Sequence, residues 1–599
     1  MRSPLLAAIL SVSFILAASI GLFFLVRGAG RIETVDCLPA ETLLLVHVPD
    51  PPALARALAR TRLVPPGPEG GEDLWNVAAE LMTWVARSRG IEINVAADEL
   101  KAPFGHETSF ALVPGDELER PGLALITRAP AGARRSLPAV ADFARERVHG
   151  FSSAWWSDRR YRGIDYRTLR SPGGSGPICF AVVGGNLVAT TTGASMRRIL
   201  DTATGRGDSL RSTTTYRDTL KTARPDSDLA VFAAGDWIRS LTTAAEGRRD
   251  PTALAEIFGL AAVRGAGLAI HVRKDLFQER LSVALAGNRQ GLAPGLLASL
   301  RSLPRPDRLA RHGFPFLVTF SAAGLDAMLG KLPGMLAEST GTSSLDLEAR
   351  LTGIEEFLSI DLRRDLLAAL GDEVTIGFGR LSALPRGGTG RWLLDTPALA
   401  SIGLRDPDAA ARFLRRTDGL ARALASYRTM ITDGRRITYY EMPSIAPLLP
   451  AYRMTEARLV VATSPELLAG AAGAGARGRE ESGRAGIDPT LEMLPEEATM
   501  FFGADSARLI DLVDPERAAR VLDARLVELL VSPIRAASNR PDLPLTAAAA
   551  RSGEARWQVE WVGPFSPAML AALLLAGELQ EGGGSSRADG VSVERENPD

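Results

Sequence analysis

The chain has 599 residues, of which 46% are hydrophobic and 23% are charged. This length exceeds what one hydrophobic core supports, so we expect roughly two to four domains, and the composition excludes a disordered chain and a polytopic membrane protein. The formal net charge of −1 provides no global positive field, so we expect no nucleic-acid partner.

The first predicted element is an apolar segment near the amino terminus. Residues 5–26 carry no charge and lie between Arg2 and Arg27. A helix of that length spans roughly 33 Å, enough for a hydrocarbon core of about 30 Å. A cleaved secretory signal is the alternative, but its apolar region is normally only about 7–15 residues long. The sequence favours an uncleaved anchor in residues 1–32 of a single-pass protein, with the rest of the chain on the extracytoplasmic (periplasmic) side.

After this segment, short apolar runs alternate with amphipathic segments. Leu43–Val48 is typical of a buried strand, and Pro49-Asp50-Pro51 separates it from a helix-like segment. Thr192 is a predicted cap for a helix that includes Met196 and Leu200. Strands dominate, and their links are often too short for a parallel crossover. The sequence therefore predicts an α+β fold of largely antiparallel sheets with helices on one face.

The second half of the chain repeats the order of motifs found in the first half. Gly371-Asp372-Glu373 leads into a predicted strand as Gly105-His106-Glu107 does, and three further matches follow at a nearly constant offset of about 270 residues. This pattern predicts a tandem duplication of one sheet-plus-helices module after the transmembrane helix. Its predicted parts are a first α+β domain, a second α+β domain and a disordered tail, at 33–305, 306–581 and 582–599.

The sequence contains no recognised motif for catalysis or metal binding. None of the five histidines has metal-ligand spacing, and no GxSxG motif occurs. Gly473–Gly478 satisfies GxGxxG, but it follows a predicted helix rather than a strand. We therefore expect no enzyme activity, no cofactor and no metal. Cys37 and Cys179 either form a disulfide or remain as buried thiols, and we favour the thiols because the sequence does not supply the distance that a disulfide needs.

An aromatic and arginine-rich cluster is the best candidate for an interaction surface. Aromatic and arginine side chains together provide the large, rigid contacts found at binding hot spots, although packing within a hairpin also explains them. The cluster comprises Phe151, Trp155, Trp156, Arg159, Arg160, Tyr161, Arg162 and Tyr166.

Three short motifs carry a resemblance to a known family. They are the opening Leu38–Thr42, the strand entry Gly371-Asp372-Glu373 and the strand-to-helix step Arg458–Pro465. In these motifs the chain resembles a bacterial family of exported, single-anchor proteins that is catalogued as a domain of unknown function. The resemblance implies a location in the cell envelope and a similar architecture, and it implies no activity.

These observations lead to one functional prediction and two alternatives. We expect a non-enzymatic binding or scaffolding module that is attached to the cell membrane and meets an unknown protein partner. The first alternative is a carrier of a lipid or another apolar ligand. The second is an enzyme with an unrecognised site, which would show as a polar cluster present in one half of the chain and missing from the other.

Overall fold

A computed structural model gives the fold of the chain. It describes residues 33–61, 106–115, 121–128, 155–170, 177–221, 227–244, 262–273, 276–286, 300–306, 316–322, 367–378, 397–424, 426–432, 435–441, 449–469, 489–511, 545–553 and 555–567, with single positions between 345 and 365. The predicted anchor, the predicted tail and Phe151 lie outside these described residues.

The described part of the first half contains ten long strands and three helices. The strands are β1 (Leu44–Val48), β2 (Thr108–Val113), β3 (Gly122–Arg128), β4 (Trp155–Tyr161), β5 (Ile164–Arg170), β6 (Ile178–Val183), β7 (Asn186–Thr190), β8 (Leu229–Ala234), β9 (Val263–Arg273) and β10 (Leu276–Leu285). The helices are α1 (Pro51–Ala59), α2 (Gly193–Ala203) and α3 (Gly235–Ala244). Shorter helical turns lie at Thr34–Cys37, Leu210–Ser212, Thr214–Tyr216 and Arg217–Lys221.

The remaining described elements begin with the two-residue strand β11. The strands are β11 (Leu303–Pro304), β12 (Phe316–Ser321), β13 (Leu370–Phe378), β14 (Ala398–Leu404), β15 (Ser426–Thr432), β16 (Arg435–Glu441), β17 (Ala451–Met454), β18 (Arg458–Ala462), β19 (Glu497–Ala498), β20 (Met500–Ala504), β21 (Thr546–Ser552) and β22 (Arg556–Gly563). Helix α4 spans Pro407–Leu424, and short helices lie at Leu367–Ala369, Pro489–Glu492 and Ser506–Asp511.

Twenty of these strands form one continuous antiparallel sheet. In the first half the strands lie side by side in the order β4-β5-β6-β7-β3-β2-β1-β8-β9-β10. In the second half the order is β15-β16-β17-β18-β14-β13-β12-β20-β21-β22. Strand β10 pairs with β22 and joins the two series, so the sheet runs from β4 at one edge to β15 at the other.

The fold class predicted from the sequence is therefore wrong. We expected two α+β modules behind a transmembrane helix, and the structure has one large, mostly antiparallel sheet to which both halves contribute. The physical reason is the β10–β22 pair, which joins segments far apart in sequence and leaves no local signal in either. No helix among the described residues is long and apolar enough to cross a membrane.

Helix α2 covers the part of the sheet next to the β4 edge. Its residues Met196, Ile199 and Leu200 are fully or almost fully buried in a core cluster with strand residues such as Ile126 and Val188. Burial of one such side chain is worth about 1.5–3 kcal/mol. This apolar contact fixes the helix over strands β3, β6 and β7 and so fixes the position of its N-terminus.

The hairpin β4–β5 forms one edge of the sheet. Its two-residue turn places both Arg162 and Gly163 at positive φ, 49° and 86°, as a type I′ turn requires. The strands pair from Trp155 opposite Arg170 to Tyr161 opposite Ile164. Successive side chains along each strand of this hairpin point to opposite faces of the sheet, so every second one points to the face that α2 covers.

Candidate functional site

An open pocket lies between the hairpin β4–β5 and the N-terminus of α2. Its volume is about 550 Å³, within the range of about 300–1,000 Å³ that is usual for small-molecule sites. The described residues that line it are Gly115, Arg159, Tyr166, Thr168, Arg170, Pro177, Cys179, Thr192, Gly193, Ala194 and Arg197.

The pocket has a buried floor and a charged rim. Thr168 and Cys179 are only 4% and 1% exposed, and they face each other across the β5–β6 pair. Arg159 and Arg170 are exposed, and Arg159 lies directly opposite Tyr166 in the hairpin. Residues paired in this way project on the same side of the sheet. The floor and the rim are therefore positioned by the pleat of three neighbouring strands.

Three arginines give the pocket a positive charge. Arg159, Arg170 and Arg197 come from β4, β5 and α2, and none of the described residues that line the pocket is acidic. The influences on the pKa of Cys179, at the floor of the pocket, reflect this positive charge. Burial raises the pKa of the Cys179 thiol, while its hydrogen bonds and the charges of Arg170 and Arg197 act in the opposite direction. A thiolate, and by the same argument any anion, is favoured by the two guanidinium groups.

The N-terminus of α2 adds to the positive electrostatic potential in the pocket. The Thr192 side chain accepts a hydrogen bond from the Ser195 backbone N–H at 3.1 Å and caps α2. Gly193 and Ala194, which line the pocket, belong to the first turn, where backbone N–H groups and the helix dipole favour negative charge. Strand β3 approaches this cap closely, since a Cβ on Gly122 would lie 2.3 Å from the Ser195 hydroxyl.

The tip of the hairpin is tied to the far end of the same helix. The Tyr161 hydroxyl donates to Asp201 at 2.9 Å, and Arg162 forms an ion pair with the same carboxylate at 3.1 Å. The Arg162 guanidinium also lies 5.2 Å from the centre of the Tyr161 ring. These contacts hold hairpin and helix at a fixed separation, so the pocket between them is preformed.

The corresponding place in the second half contains an apolar core cluster. Hairpin β15–β16 has the same strand lengths and register as β4–β5, which puts Met430 at the position of Arg159 and Tyr439 at that of Thr168. The helix after β18 begins at Pro465 and has Ala469 where α2 has Arg197. All three residues pack against a cluster whose buried members are Leu399, Ile437, Ala451, Val460, Ala462 and Leu468. The positions of Arg159 and Arg197 are therefore apolar in the second half, while Glu441 takes the position of Arg170 and pairs with Arg428 at 3.0 Å.

The structure separates the residues of the predicted interaction cluster. Arg159 and Tyr166 line the pocket, and Trp155 is 49% exposed on the same face, opposite Arg170. Trp156 points to the other face and packs against Phe180, with ring centres 5.7 Å apart. The other members serve the hairpin itself or are not described: Arg160 pairs with Asp165, Tyr161 and Arg162 contact Asp201, and Phe151 lies outside the described residues.

Most residues of the pocket were not predicted from the sequence. Arg170 and Arg197 were overlooked because one ends a strand and the other lies within a helix, so no local motif groups them with Arg159. A usable signal was present in the repeat comparison. Aligning Thr192 with Ser464 places Arg197 opposite Ala469, which marks a charge that one half has and the other lacks.

A second polar cluster ties the start of the described chain to the sheet. Thr34 donates to the Glu107 carboxylate through its backbone N–H at 2.7 Å and through its hydroxyl at 2.8 Å. The Ser109 hydroxyl lies 2.7 Å from the Thr34 hydroxyl and 2.9 Å from His47 Nδ1. Thr34 and Ser109 are fully buried, so no substrate can reach them, and the cluster is structural.

The two cysteines and His271 are the remaining candidates for reactive groups, and their surroundings are structural. Cys37 and Cys179 are both buried free thiols. His271 lies 3.1 Å from Asp228, whose carboxylate also accepts from the Val272 backbone N–H. Within the described ranges, no group of three or more His, Cys, Asp or Glu residues is placed to hold a metal ion.

Comparison with known proteins gives no family and only a weak structural likeness. No family model matches the chain, and no curated protein matches it in sequence. Crystal form III of TP0453 is similar to 46% of this chain over 89% of its own length, with 10% identity and a TM-score of 0.23. Crystal form I is similar to 42% of this chain, with 8% identity and a TM-score of 0.22. At such low scores we draw no functional conclusion from the likeness.

Proposed function

We propose that the protein is a non-enzymatic binding module of the cell envelope that captures a small anionic ligand in the arginine-lined pocket. The observation that carries this proposal is the convergence of Arg159, Arg170 and Arg197 on one preformed pocket. Neither Arg159 nor Arg170 forms an ion pair with a described residue. Arginine side chains that converge on one pocket from three different elements make that pocket attractive to an anion.

The difference between the two halves supports a functional reading of the pocket. Packing alone can fill this place, because Met430, Tyr439 and Ala469 do so in the second half. Arg159 and Arg197, in place of Met430 and Ala469, give up part of that packing energy in the first half. A residue set that sacrifices stability at one of two equivalent places is typical of a binding site.

A polar cluster in one half alone is what the enzyme alternative predicts, but the chemistry of this pocket favours binding over catalysis. Its described lining contains no histidine or carboxylate that could act as a general base. Cys179 is the one thiol in that lining, and burial raises its pKa, so it stays protonated and a poor nucleophile near neutral pH. The arginine-rich rim also disfavours the alternative of an apolar-ligand carrier, since an apolar ligand gains nothing from contact with charged side chains.

A location outside the cytoplasm is part of the same proposal. Its support is the uncharged segment 5–26 near the amino terminus and the resemblance to exported, single-anchor bacterial proteins. Attachment through that segment would hold the pocket close to the membrane surface, where the module meets either a soluble metabolite or a partner in the envelope.

The proposal is tested by equilibrium dialysis of the full-length protein, in a mild non-ionic detergent, against a bacterial metabolite extract. We expect mass spectrometry to find at least one anionic metabolite enriched on the protein side. The double variant Arg159→Met/Arg197→Ala, which copies the second half, should lose that enrichment. Arg160→Ala is the matched control, because Arg160 is the next residue of the same strand and pairs with Asp165. No enrichment, or enrichment that the double variant retains, would contradict the proposal.

A further inference from the structure

We infer that strand β15 is the edge through which two copies of the protein associate, by antiparallel pairing of β15 with β15 of the second copy. Within the described part of the chain, β15 pairs with β16 alone. Such an edge presents backbone N–H and C=O groups with which another strand can pair. This inference goes beyond the proposed function and does not depend on the arginine-lined pocket.

The register of the hairpin β15–β16 shows which backbone groups face outward. Tyr427 lies opposite Tyr440, whose backbone N–H donates to the Pro450 carbonyl at 3.0 Å, on the side of β16 away from β15. The Tyr427–Tyr440 pair is therefore not hydrogen-bonded, and such pairs alternate with hydrogen-bonded ones along an antiparallel hairpin. The residues of β15 whose N–H and C=O groups face the free edge are Tyr427, Thr429 and Ile431.

A second copy of β15 fits this edge in register. An antiparallel pair centred on Thr429 places Thr429 opposite Thr429 of the second copy, and Tyr427 opposite Ile431. These are the residues with outward-facing backbone groups, so the pairing forms about six backbone hydrogen bonds. An aromatic residue opposite a β-branched one, and Thr opposite Thr, are favourable cross-strand pairs. The strand is therefore complementary to itself.

The side chains at this edge suit such a pair. The Tyr427 hydroxyl accepts a hydrogen bond from Arg436 at 3.2 Å, and the Arg422 guanidinium lies 4.2 Å from the centre of the Tyr427 ring. Ile431 is 74% exposed, the largest exposed fraction among the large hydrophobic side chains of the described residues. Pairing would place Ile431 beside the Tyr427 ring of the second copy, which removes apolar surface from water.

The charges of β15 permit this pairing. Arg428 is the one charged residue in the strand, and it pairs with Glu441 on β16 at 3.0 Å. In the pair centred on Thr429, Arg428 lies opposite Met430 of the second copy. No two like charges therefore face each other across the interface.

The charges of β4, the opposite edge of the sheet, disfavour the same kind of pairing. Its central residues are Asp158, Arg159 and Arg160. A symmetric pair over the whole of β4 would place Asp158 opposite Asp158 of the second copy, and like charges directly opposite are destabilising. Charged side chains are also a common protection of edge strands against pairing. The two copies therefore meet at β15 and leave β4 free.

A register-specific cross-link tests the pairing in the full-length protein, kept in a mild non-ionic detergent. Thr429→Cys would put two cysteines opposite each other with Cα atoms about 5.5 Å apart, within the disulfide range of about 4.4–6.8 Å. Mild oxidation should link this variant into a dimer and leave the wild type unlinked, because Cys37 and Cys179 are buried. Asp158→Cys, at the middle of β4, is the matched control and should stay unlinked.

Analytical ultracentrifugation measures the association without a cross-link. We expect a dimer whose dissociation constant rises about tenfold or more in Ile431→Lys, which puts a charge on the edge, and stays unchanged in Trp155→Lys on β4. Ile431 and Trp155 are both exposed, so neither change should disturb folding. A monomeric wild type, a dimer that Ile431→Lys leaves intact, or no cross-link in Thr429→Cys would overturn the inference. Open-ended chains of copies would also overturn it, because they require β15 to pair with β4.

Discussion

Tyr161 and Asp201 are joined by a hydrogen bond of 2.9 Å that ties the tip of the hairpin β4–β5 to the last turns of α2. The arginine-lined pocket lies between these two elements, closer to the helix N-terminus. The bond therefore fixes the width of the pocket from a distance. Binding sites held in this way lose less conformational entropy when a ligand arrives, which is the general advantage of preorganisation.

Removing this bond should weaken ligand binding without changing any residue of the pocket. Asp201→Ala leaves the Tyr161 hydroxyl and the Arg162 guanidinium without their shared partner. We expect the affinity for the bound anion to fall about three- to tenfold and stability to fall by about 0.5–1.5 kcal/mol. Calorimetry measures the affinity. The rate of hydrogen exchange at the hairpin tip should rise in the same variant.

Asp165→Ala is the matched control for Asp201→Ala. Asp165 belongs to the same hairpin and pairs with Arg160 at 3.5 Å, but both side chains are largely exposed. Exposed pairs contribute only about 0–1 kcal/mol, so affinity and exchange should be unchanged. If the two variants behave alike, the tie to Asp201 has no role in shaping the pocket.

The strand pair that joins the two halves depends on a buried carboxylate. Glu560 on β22 accepts from Arg280 at 2.7 Å and from Gln278 at 2.6 Å, and both donors belong to β10. Glu560→Ala removes the acceptor from two groups at the junction. We expect a loss of about 1–3 kcal/mol in the free energy of unfolding, measured by urea denaturation.

An exposed pair provides the comparison for Glu560. Glu373 and Arg458 lie 3.2 Å apart with both side chains more than 40% exposed. Glu373→Ala should therefore cost no more than about 1 kcal/mol. Equal losses in the two variants would show that the β10–β22 junction does not depend on its buried ion pair.

Histidine 47 should make stability depend on mildly acidic pH. Burial lowers the pKa of His47, and the nearby Arg211 charge lowers it further against the opposing charges of Glu107 and Glu33. The unfolded chain then takes up a proton at a higher pH than the folded chain. Stability is complete above the unfolded pKa of about 6.5 and falls as the pH drops below it toward the folded pKa.

The variant His47→Gln isolates this effect, because it does not titrate and its amide can still reach Ser109. We expect the wild type to lose more stability than His47→Gln between about pH 7 and pH 5 in urea denaturation. Parallel curves for the two proteins over that range would mean that His47 does not titrate differently in the folded and unfolded states.

The two thiols should be unreactive in the folded protein. Burial raises the pKa of Cys37 to about 12, and a hydrogen bond from the Asn186 amide to its sulfur at 3.3 Å only partly offsets this. Burial likewise raises the pKa of Cys179. A thiol reagent near neutral pH should modify neither residue until denaturant is added. Rapid modification of one thiol in the native protein would contradict its burial.

Cys37 should also make the stability of the fold depend on alkaline pH. Its folded pKa lies above the unfolded value, so its contribution to stability is complete below about pH 8.5 and decreases as the pH rises toward 12. Cys37→Ala should show less alkaline destabilisation than the wild type. The measurement is again the urea midpoint as a function of pH, and identical profiles would contradict the expectation.

Local features of the fold were predictable from the sequence. The apolar run at Leu43–Val48 contains strand β1, and the cap predicted at Thr192 is the N-cap of α2. Both follow from short-range rules, namely hydrophobic runs and side-chain capping. The single sheet was not predictable, because the pairing of β10 with β22 depends on contacts between segments far apart in the chain.

The candidate site was likewise only partly predictable from the sequence. Arg159 and Tyr166 were found because aromatic and arginine residues are concentrated in their hairpin. Arg170 and Arg197 were not, because only the folded sheet places the end of β5 beside the start of α2. Charge in the sequence marks candidate residues, and the tertiary structure decides which of them share a pocket.

The stoichiometry of anion binding tests the central claim most directly. Equilibrium dialysis of the enriched anionic metabolite against the full-length protein counts the sites per chain. Because the second half has an apolar cluster where the first half has the pocket, we predict one saturable site that Arg159→Met/Arg197→Ala removes. Two equivalent sites per chain, or one site that survives in the double variant, would contradict the account.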